Sequence, residues 1–436
     1  MIRFCLPLML VLTLVAVPHG QTAATRTPAA VRAADNGRDL AKATPESVGV
    51  SSERLRRLDA GLKRFVDEGR LAGVTSLLAR HGKVVNTNTF GRKSLSAPEP
   101  MQRDTIFRIY SMSKPITGVA MMMLFEEGKW RLDDPVSRYI PEFAKLQVLA
   151  GENADGTIKL EDARRSMTMR ELLTHSAGLG YVLNQANAVD RQIIKEQTLN
   201  PAAPLQTMID KLGKTPLLAQ PGTRWYYSIG VDVQGYLVEK MSGQSFADFL
   251  KTRLFDPLGM KDTGFYVPKE KLGRLARLHR DGPDGKAAPP ADNPEESTVV
   301  PLGASGGGGL YSTADDYLRF AQMLLNGGEF GGKQYLSPRT VQMLRTNHLQ
   351  ADALKTVRVG TGWGLGPRVV IDAAAAGESE SDGSIDWFGI GGTWFWIDPA
   401  MDITFVGMIQ QYNGRTTGEI QGLSRNLVYQ ALMNER

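Results

Sequence analysis

The chain has 436 residues, 42% hydrophobic and 22% charged, an ordinary globular balance with room for a large core. Its net charge of +5 comes from 51 basic residues scattered among 46 acidic ones, so no massed basic face marks a nucleic-acid binder. One cysteine excludes a disulfide framework, and five separated histidines (19, 81, 175, 279 and 348) give no metal-ligating spacing, so neither metal nor cofactor is expected.

Arg3, the apolar run 4–17 and the small residues up to 24 form the pattern of an export signal over residues 1–24. The run is too short for a membrane span, so a periplasmic or secreted bacterial protein is expected, with no stable membrane anchor after signal removal. Cys5 lies inside the run, which leaves the mature chain without a thiol nucleophile. Residues 25–45 read as a flexible lead-in. Ser51 is placed to cap a helix over 52–68, with Leu55, Leu58, Leu62 and Phe65 on one face. Two strands, 73–80 and 83–90, flank a turn at His81-Gly82.

The next stretch, Arg108-Ile109-Tyr110-Ser111-Met112-Ser113-Lys114-Pro115, runs into the apolar segment 116–125, which predicts a buried helix. Proline is tolerated only in a first helical turn, so the helix should start at or just before Ser111. Residues three apart share a helix face, which sets the Lys114 ammonium beside the Ser111 hydroxyl at the positive helix end. A serine becomes a nucleophile in this way without histidine. Ser-x-x-Lys alone fixes two positions and is a weak signal; the apolar run behind it, aiming both groups from the interior, strengthens it. The residue before a proline disfavours the α region, so a distorted turn is expected at Lys114.

Thr168-Met169-Arg170-Glu171 is a capping box for a short helix ending before His175, and that histidine reads as a structural helix-end residue. Helices are expected over 231–241 and 246–255, a surface loop over 281–297, and further helices from Ser312 or Thr313 to about 325 and from Ser337-Pro338. The last third is rich in β-branched and aromatic residues, and strands are read over 362–371, 386–397 and 402–410. A flexible loop, 372–383, separates the first two and is expected to overhang the site. Thr417 is read as the cap of a final helix over 418–433. Strands at both ends and helices between them predict one antiparallel sheet built from 46–110 and 300–436, with a helical part over 111–299.

Two further stretches carry chemistry. Pro221-Gly222-Thr223-Arg224-Trp225-Tyr226-Tyr227-Ser228-Ile229-Gly230 presents Tyr227 just before a helix. Trp387-Phe388-Gly389-Ile390-Gly391-Gly392-Thr393-Trp394 combines glycines, which let backbone approach a ligand, with aromatics able to wall a pocket. With Ser111 and Lys114 these motifs resemble the serine β-lactamase/penicillin-binding-protein superfamily, in particular class C β-lactamases and family VIII carboxylesterases. Leu254-Phe255-Asp256-Pro257-Leu258-Gly259-Met260 and Ser305-Gly306-Gly307-Gly308-Gly309-Leu310-Tyr311 extend the likeness, which runs from about Pro45 to about Met433.

The resemblance implies an α+β, β-lactamase/transpeptidase-like fold: a five-stranded antiparallel sheet flanked by helices, plus an all-helical subdomain. It implies that Ser111 forms an acyl-enzyme, that Lys114 and Tyr227 share the proton work, and that the backbone N–H groups of Ser111 and Ile390 form an oxyanion hole. Trp387, Phe388 and Gly389 become the substrate pocket. Two positions depart from the β-lactamase pattern: Ile229 stands where Tyr-x-Asn has asparagine, and Trp387 stands where Lys-Thr-Gly has lysine. Family VIII esterases have Trp-x-Gly there. Loss of both polar groups favours a neutral small-molecule ester over a β-lactam or peptide carboxylate. The expectation is therefore a serine carboxylesterase. A β-lactamase or D-alanyl-D-alanine peptidase is the rival within the class, and a non-catalytic binder of peptidoglycan or acyl ligands is the rival outside it. Gly303-Ala304-Ser305-Gly306-Gly307 matches the nucleophile elbow of α/β-hydrolases but lacks a helix directly after the serine, and reads as a glycine-rich turn.

Overall fold

Ser51 accepts a hydrogen bond from the Arg54 N–H and opens helix α1 (Ser52–Asp67), burying Leu55, Leu58, Leu62 and Phe65. Each such burial contributes about 2 kcal/mol. The computed structural model describes residues 37–183, 185–412 and 414–434; the expected signal segment lies outside them. The face of α1 packs on a seven-stranded, wholly antiparallel sheet. Its strands are β1 (Gly73–Arg80), β2 (Lys83–Gly91), β3 (Thr361–Trp363), β4 (Arg368–Val370), β5 (Ile385–Phe388), β6 (Trp394–Asp398) and β7 (Ile403–Met408). The spatial order is β3-β4-β5-β6-β7-β1-β2, so the two ends of the described chain meet where β7 pairs with β1, Leu77 opposite Val406.

Five strands were expected and seven are present, because two of the expected strands are hairpins. The run read as one strand over 362–371 folds back at Gly364-Leu365-Gly366-Pro367 into β3 and β4. The run over 386–397 folds back at Gly389-Ile390-Gly391-Gly392 into β5 and β6. Glycine supplies the backbone conformations such reversals need: Gly366 has φ 142° and Gly392 has φ 95°.

Both sheet faces are covered, which is why β1 is buried along its whole length. On one face Val74, Leu78, Trp394, Trp396 and Phe405 meet α1 and the C-terminal helix. On the other, Leu77, Phe395 and Val406 join a single hydrophobic cluster that reaches Leu172 and Leu237 in the helical part, so the two regions share one core. Through that cluster runs α2 (Ser113–Glu126), buried from Ser113 to Leu124. A Cβ on Gly118 would come within 2.5 Å of the Leu365 carbonyl, so glycine there lets α2 lie directly on the β3–β4 turn.

The capping expectations hold at α3 (Met169–Leu173), where the Thr168–Glu171 box is complete, at α5 (Ala314–Leu325), capped by Thr313, and at the helix Pro338–Leu344, capped by Ser337. The helix read over 231–241 is α4 (Gly230–Ser242). Three expectations are corrected. Residues 37–45 are pinned rather than loose: the Leu40 N–H bonds the Gly82 carbonyl at 2.8 Å, the Ala43 N–H bonds that of Val84 at 3.0 Å, and Arg38 pairs with Asp402. The C-terminal helix, α6, spans Arg415–Tyr429, with Gly414 at its cap and Thr417 buried inside it. A Cβ on Gly414 would strike the Asp281 carboxylate at 2.2 Å, so packing fixes the start. The loop 372–383 holds a short helix (Ala373–Ala376) and ties to Arg358, Arg425 and Asp398, at the end of β5 and β6 remote from the β5–β6 turn. It does not overhang the site. An exposed ribbon, Gln147–Glu152 with Ile158–Asp162, is additional to the elements read from sequence. Among the described residues no helix is long and apolar enough to cross a membrane.

Candidate active site

Ser111 lies in a 3-10 turn, Tyr110–Met112, that leads straight into α2. The helix begins at Ser113, and Lys114 takes a regular helical conformation there despite the proline that follows. The distortion expected at Lys114 sits instead at Tyr110, whose φ of 44° is left-handed. Such a residue costs about 1–3 kcal/mol and persists only where its surroundings hold it. Gly391 provides the holding contact: a Cβ there would come within 2.7 Å of the Tyr110 ring.

Lys114 is fully buried. Its ammonium donates to the Gly307 carbonyl at 2.6 Å, the Tyr181 hydroxyl at 3.2 Å and the Ser111 hydroxyl at 3.3 Å, which satisfies all three of its protons. It also stands 4.5 Å from the centre of the Tyr227 ring. Burial drives its pKa down, but Tyr181, Tyr227 and Asp232 more than offset this, and the net shift is upward. With an acceptor for each of its protons, Lys114 is the buried hub that ties the Ser111 turn, Tyr181 and Gly307 together.

Tyr227 is held from several sides. The Trp387 indole N–H donates to its hydroxyl at 3.2 Å, and the rings of His175, Tyr181 and Trp387 lie 4.9, 5.4 and 5.3 Å from its own. Ser111 and Tyr227 each touch Lys114 and are joined through the ammonium, which brings the three sequence-predicted residues into one site. Ile229, at the asparagine position, is fully buried and points into the core.

Three residues of this site were not assigned to it from sequence. Tyr181 follows the glycine-rich turn after α3 and is a second phenol on the ammonium. Asp232, in the first turn of α4, is the buried carboxylate of the group; its Oδ1 accepts from the Ser305 hydroxyl at 2.5 Å and the Gly307 N–H at 3.0 Å. Gly307 thus passes from Asp232 on its N–H side to Lys114 on its carbonyl side. Burial raises the Asp232 pKa, against the pull of Lys114.

The third is His175, which adopts φ 58° just past the end of α3, a position usually taken by glycine. Its carbonyl accepts from the Tyr226 N–H at 2.8 Å and its Nδ1 accepts from the Ser228 N–H at 3.0 Å. A backbone N–H can only donate, so the ring's proton sits on Nε2 and the ring is neutral. Burial, then Lys114, holds its pKa well below the ordinary 6.5. The unfolded chain consequently binds a proton that the folded chain refuses, and this site's share of stability is lost as pH falls below about 6.5. His175→Gln is expected to flatten the loss of stability between pH 7.5 and pH 5 by up to about 1.4 kcal/mol per pH unit. Urea melts of both proteins at three pH values check this, and identical slopes would contradict it.

A cavity of about 410 Å³ opens beside Ser111 and Ile390, walled by Tyr110, Tyr181, Leu205 and Met208. No charged side chain lines it among the described residues. Trp387, Phe388 and Gly389, the residues expected to form the pocket, do not line this cavity. Trp387 faces Tyr227 and Phe388 is 43% exposed with its ring against Trp387. Gly389 packs on the turn that carries Ser111, where a Cβ would meet the Ile109 carbonyl at 2.3 Å. These residues contact Tyr227 and the turn that carries Ser111; the cavity is lined by other segments.

Ser305, the elbow-like serine, has Asp232 as its partner and no histidine. His348 is bound to Arg170 and the Met343 carbonyl, and the sheet is antiparallel, so the α/β-hydrolase arrangement is absent among the described residues.

The family profile described as Beta-lactamase matches residues 58–428. Esterase EstB from Burkholderia gladioli is 32% identical over 395 residues, 86% of this chain and 94% of its own. Lovastatin esterase from Penicillium rubens is 30% identical over 380 residues, 81% of this chain and 92% of its own. The solved structure of EstCE1, described as a hydrolase with promiscuous acyltransferase activity, superposes with a TM-score of 0.74 at 29% identity, covering 86% of this chain and 99% of that one.

Proposed function

The chain belongs to the beta-lactamase family and is a serine hydrolase, and from that premise we propose that it cleaves neutral carboxylic esters through an acyl-enzyme on Ser111. The observation that carries the ester reading is the uncharged cavity beside Ser111. A carboxylate-bearing substrate would enter it with no cation to meet the carboxylate, at a cost of several kcal/mol.

In the proposed cycle Tyr227 enters as the phenolate beside the Lys114 ammonium, and the Ser111 Oγ attacks the ester carbonyl as its proton passes to that phenolate oxygen. The Lys114 ammonium, bonded to the Ser111 hydroxyl and lying over the Tyr227 ring, holds the two side chains together and offsets negative charge arising on either. The backbone N–H groups of Ser111 and Ile390 receive the tetrahedral oxyanion, at roughly 3 kcal/mol per donor. Tyr227 returns the proton to the leaving alkoxide, and the alcohol departs. Water then repeats the sequence: it gives a proton to Tyr227, attacks the acyl carbon, and Ser111 leaves with that proton restored. An alcohol in place of water would yield a new ester, the acyl transfer described for EstCE1.

The measurement that tests this is a comparison of p-nitrophenyl butyrate with a chromogenic cephalosporin. The ester is expected to be turned over at least about 10²-fold more efficiently, the discrimination an unpaired buried polar group allows. Comparable rates would favour the β-lactamase or peptidase reading. Export to the periplasm or beyond is part of the same proposal, resting on the charged start and apolar run of residues 3–17. A mature protein whose N-terminal sequence still begins at Met1 would contradict it.

A further inference from the structure

Beyond the Ser111 cavity lies a second one of about 530 Å³, and Tyr110, Pro201, Gly303, Ser305, Gly308 and Gly309 line both. The two cavities therefore adjoin along these residues, with Tyr110 at the border next to Ser111. The outer trough is walled by Val299, Val300, Pro301 and Leu302, of which Val299, Val300 and Leu302 are 67%, 63% and 69% exposed. Three large aliphatic side chains within four residues, each mostly bare, are a departure from the scattered apolar residues of an ordinary surface. They are also fixed in place. The Leu302 N–H donates to the Pro201 carbonyl at 2.8 Å and the Gly303 N–H to the same oxygen at 3.2 Å, which binds the trough wall to the segment lining the inner cavity. The charged groups at the trough are Arg108, bound to Asp292 at 2.9 Å and to Ser297 at 2.6 Å, and the exposed Glu296.

We infer that this trough receives the alcohol limb of the ester, and that the enzyme is built for esters of long aliphatic or bulky apolar alcohols. The inference rests on the ester-hydrolase reading above. An ester has two limbs diverging from one carbonyl carbon, and two cavities adjoin at Tyr110, beside the Ser111 that lines the inner one. The acyl limb stays bound through the second half of the reaction, so it fits the inner cavity, whose walls include the buried side chains of Tyr181, Leu205 and Met208. The alcohol limb leaves after the first half, so it fits the open trough. An alcohol carrying a charge or several hydroxyls would lie against Val300 and Leu302, with only Glu296 and the already bonded Arg108 at the trough's edge. An apolar one would cover them and be drawn in by the hydrophobic effect.

The test uses two series of substrates on wild type, Val300→Asp and Leu302→Asp. In one, acetate esters run from methyl to octyl; in the other, methyl esters run from acetate to octanoate. Both side chains are exposed, so the variants are expected to melt like wild type. Wild-type kcat/KM is expected to climb along the acetate series. Each variant is expected to lose about tenfold on octyl acetate and to keep its kcat/KM for methyl acetate and for methyl octanoate. Deacylation of the common acetyl-enzyme is expected to be unchanged, because the alcohol has already gone. Unaltered octyl acetate hydrolysis, or an equal loss on methyl octanoate, would overturn the assignment of the trough. Failure of wild type to hydrolyse any ester would instead overturn the reading on which it rests.

Discussion

Ser111→Ala is expected to lower kcat for a short p-nitrophenyl ester by about 10⁴-fold or more, the loss seen when a nucleophile acting as part of a unit is removed. The fold should not notice. Ser111 is half-buried in a turn, and the one bond it makes to Lys114, at 3.3 Å, is the longest of the three on that ammonium. Ser305→Ala provides the control. It should retain catalysis of small esters and lose about 1–2 kcal/mol of stability, because the buried Asp232 carboxylate gives up a donor. The opposite pattern, with Ser305 essential and Ser111 dispensable, would move the nucleophile to the glycine-rich turn. Initial rates and urea melts of the two variants check both halves.

Lys114→Met is expected to remove activity to a comparable extent and, unlike Ser111→Ala, to weaken the fold by about 3 kcal/mol. The reason is electrostatic. Asp232 is fully buried, its burial opposes ionisation, and Lys114 is the cation first among the influences that favour its charged form. Removing the ammonium strands that carboxylate and leaves the Gly307 carbonyl and Tyr181 hydroxyl without their donor. Lys114→Met with Asp232→Asn should therefore recover much of the lost stability and none of the activity. Activity and stability recovering together would show that Lys114 acts only as a structural counter-ion. Stability that stays low in the double variant would show that Asp232 is not what the ammonium balances.

The parts of this molecule that were legible from sequence are those set by short-range rules. Ser51, Thr168, Thr313 and Ser337 cap the helices they precede. The three-residue spacing of Ser111 and Lys114 put their side chains within reach, as helix geometry requires. Tyr227 was recoverable only because its flanking motif resembles a family pattern. Tyr181, His175 and Asp232 left no such trace, since each reaches the site through tertiary packing: one after a glycine-rich turn, one at a helix end, one in a helix's first turn. The sheet was under-counted for a different reason. Continuous apolar runs hid two reversals, and the glycines at 364, 366, 389, 391 and 392 were the available signal for them. At Thr417 a plausible capping residue lost to Gly414, because contact with Asp281 from a distant segment decides where that helix starts.

The trio at the centre of this account meets by way of one buried ammonium, and the claim that it performs acyl transfer rests on where the acyl group is carried. Intact mass spectrometry after brief exposure to a fluorophosphonate or a slowly hydrolysed ester measures this directly. Wild type is expected to gain the mass of one adduct, mapped by peptide digestion to Ser111, and Ser111→Ala is expected to gain none. An unmodified wild type, or an adduct that persists in Ser111→Ala and maps to Ser305, would contradict it.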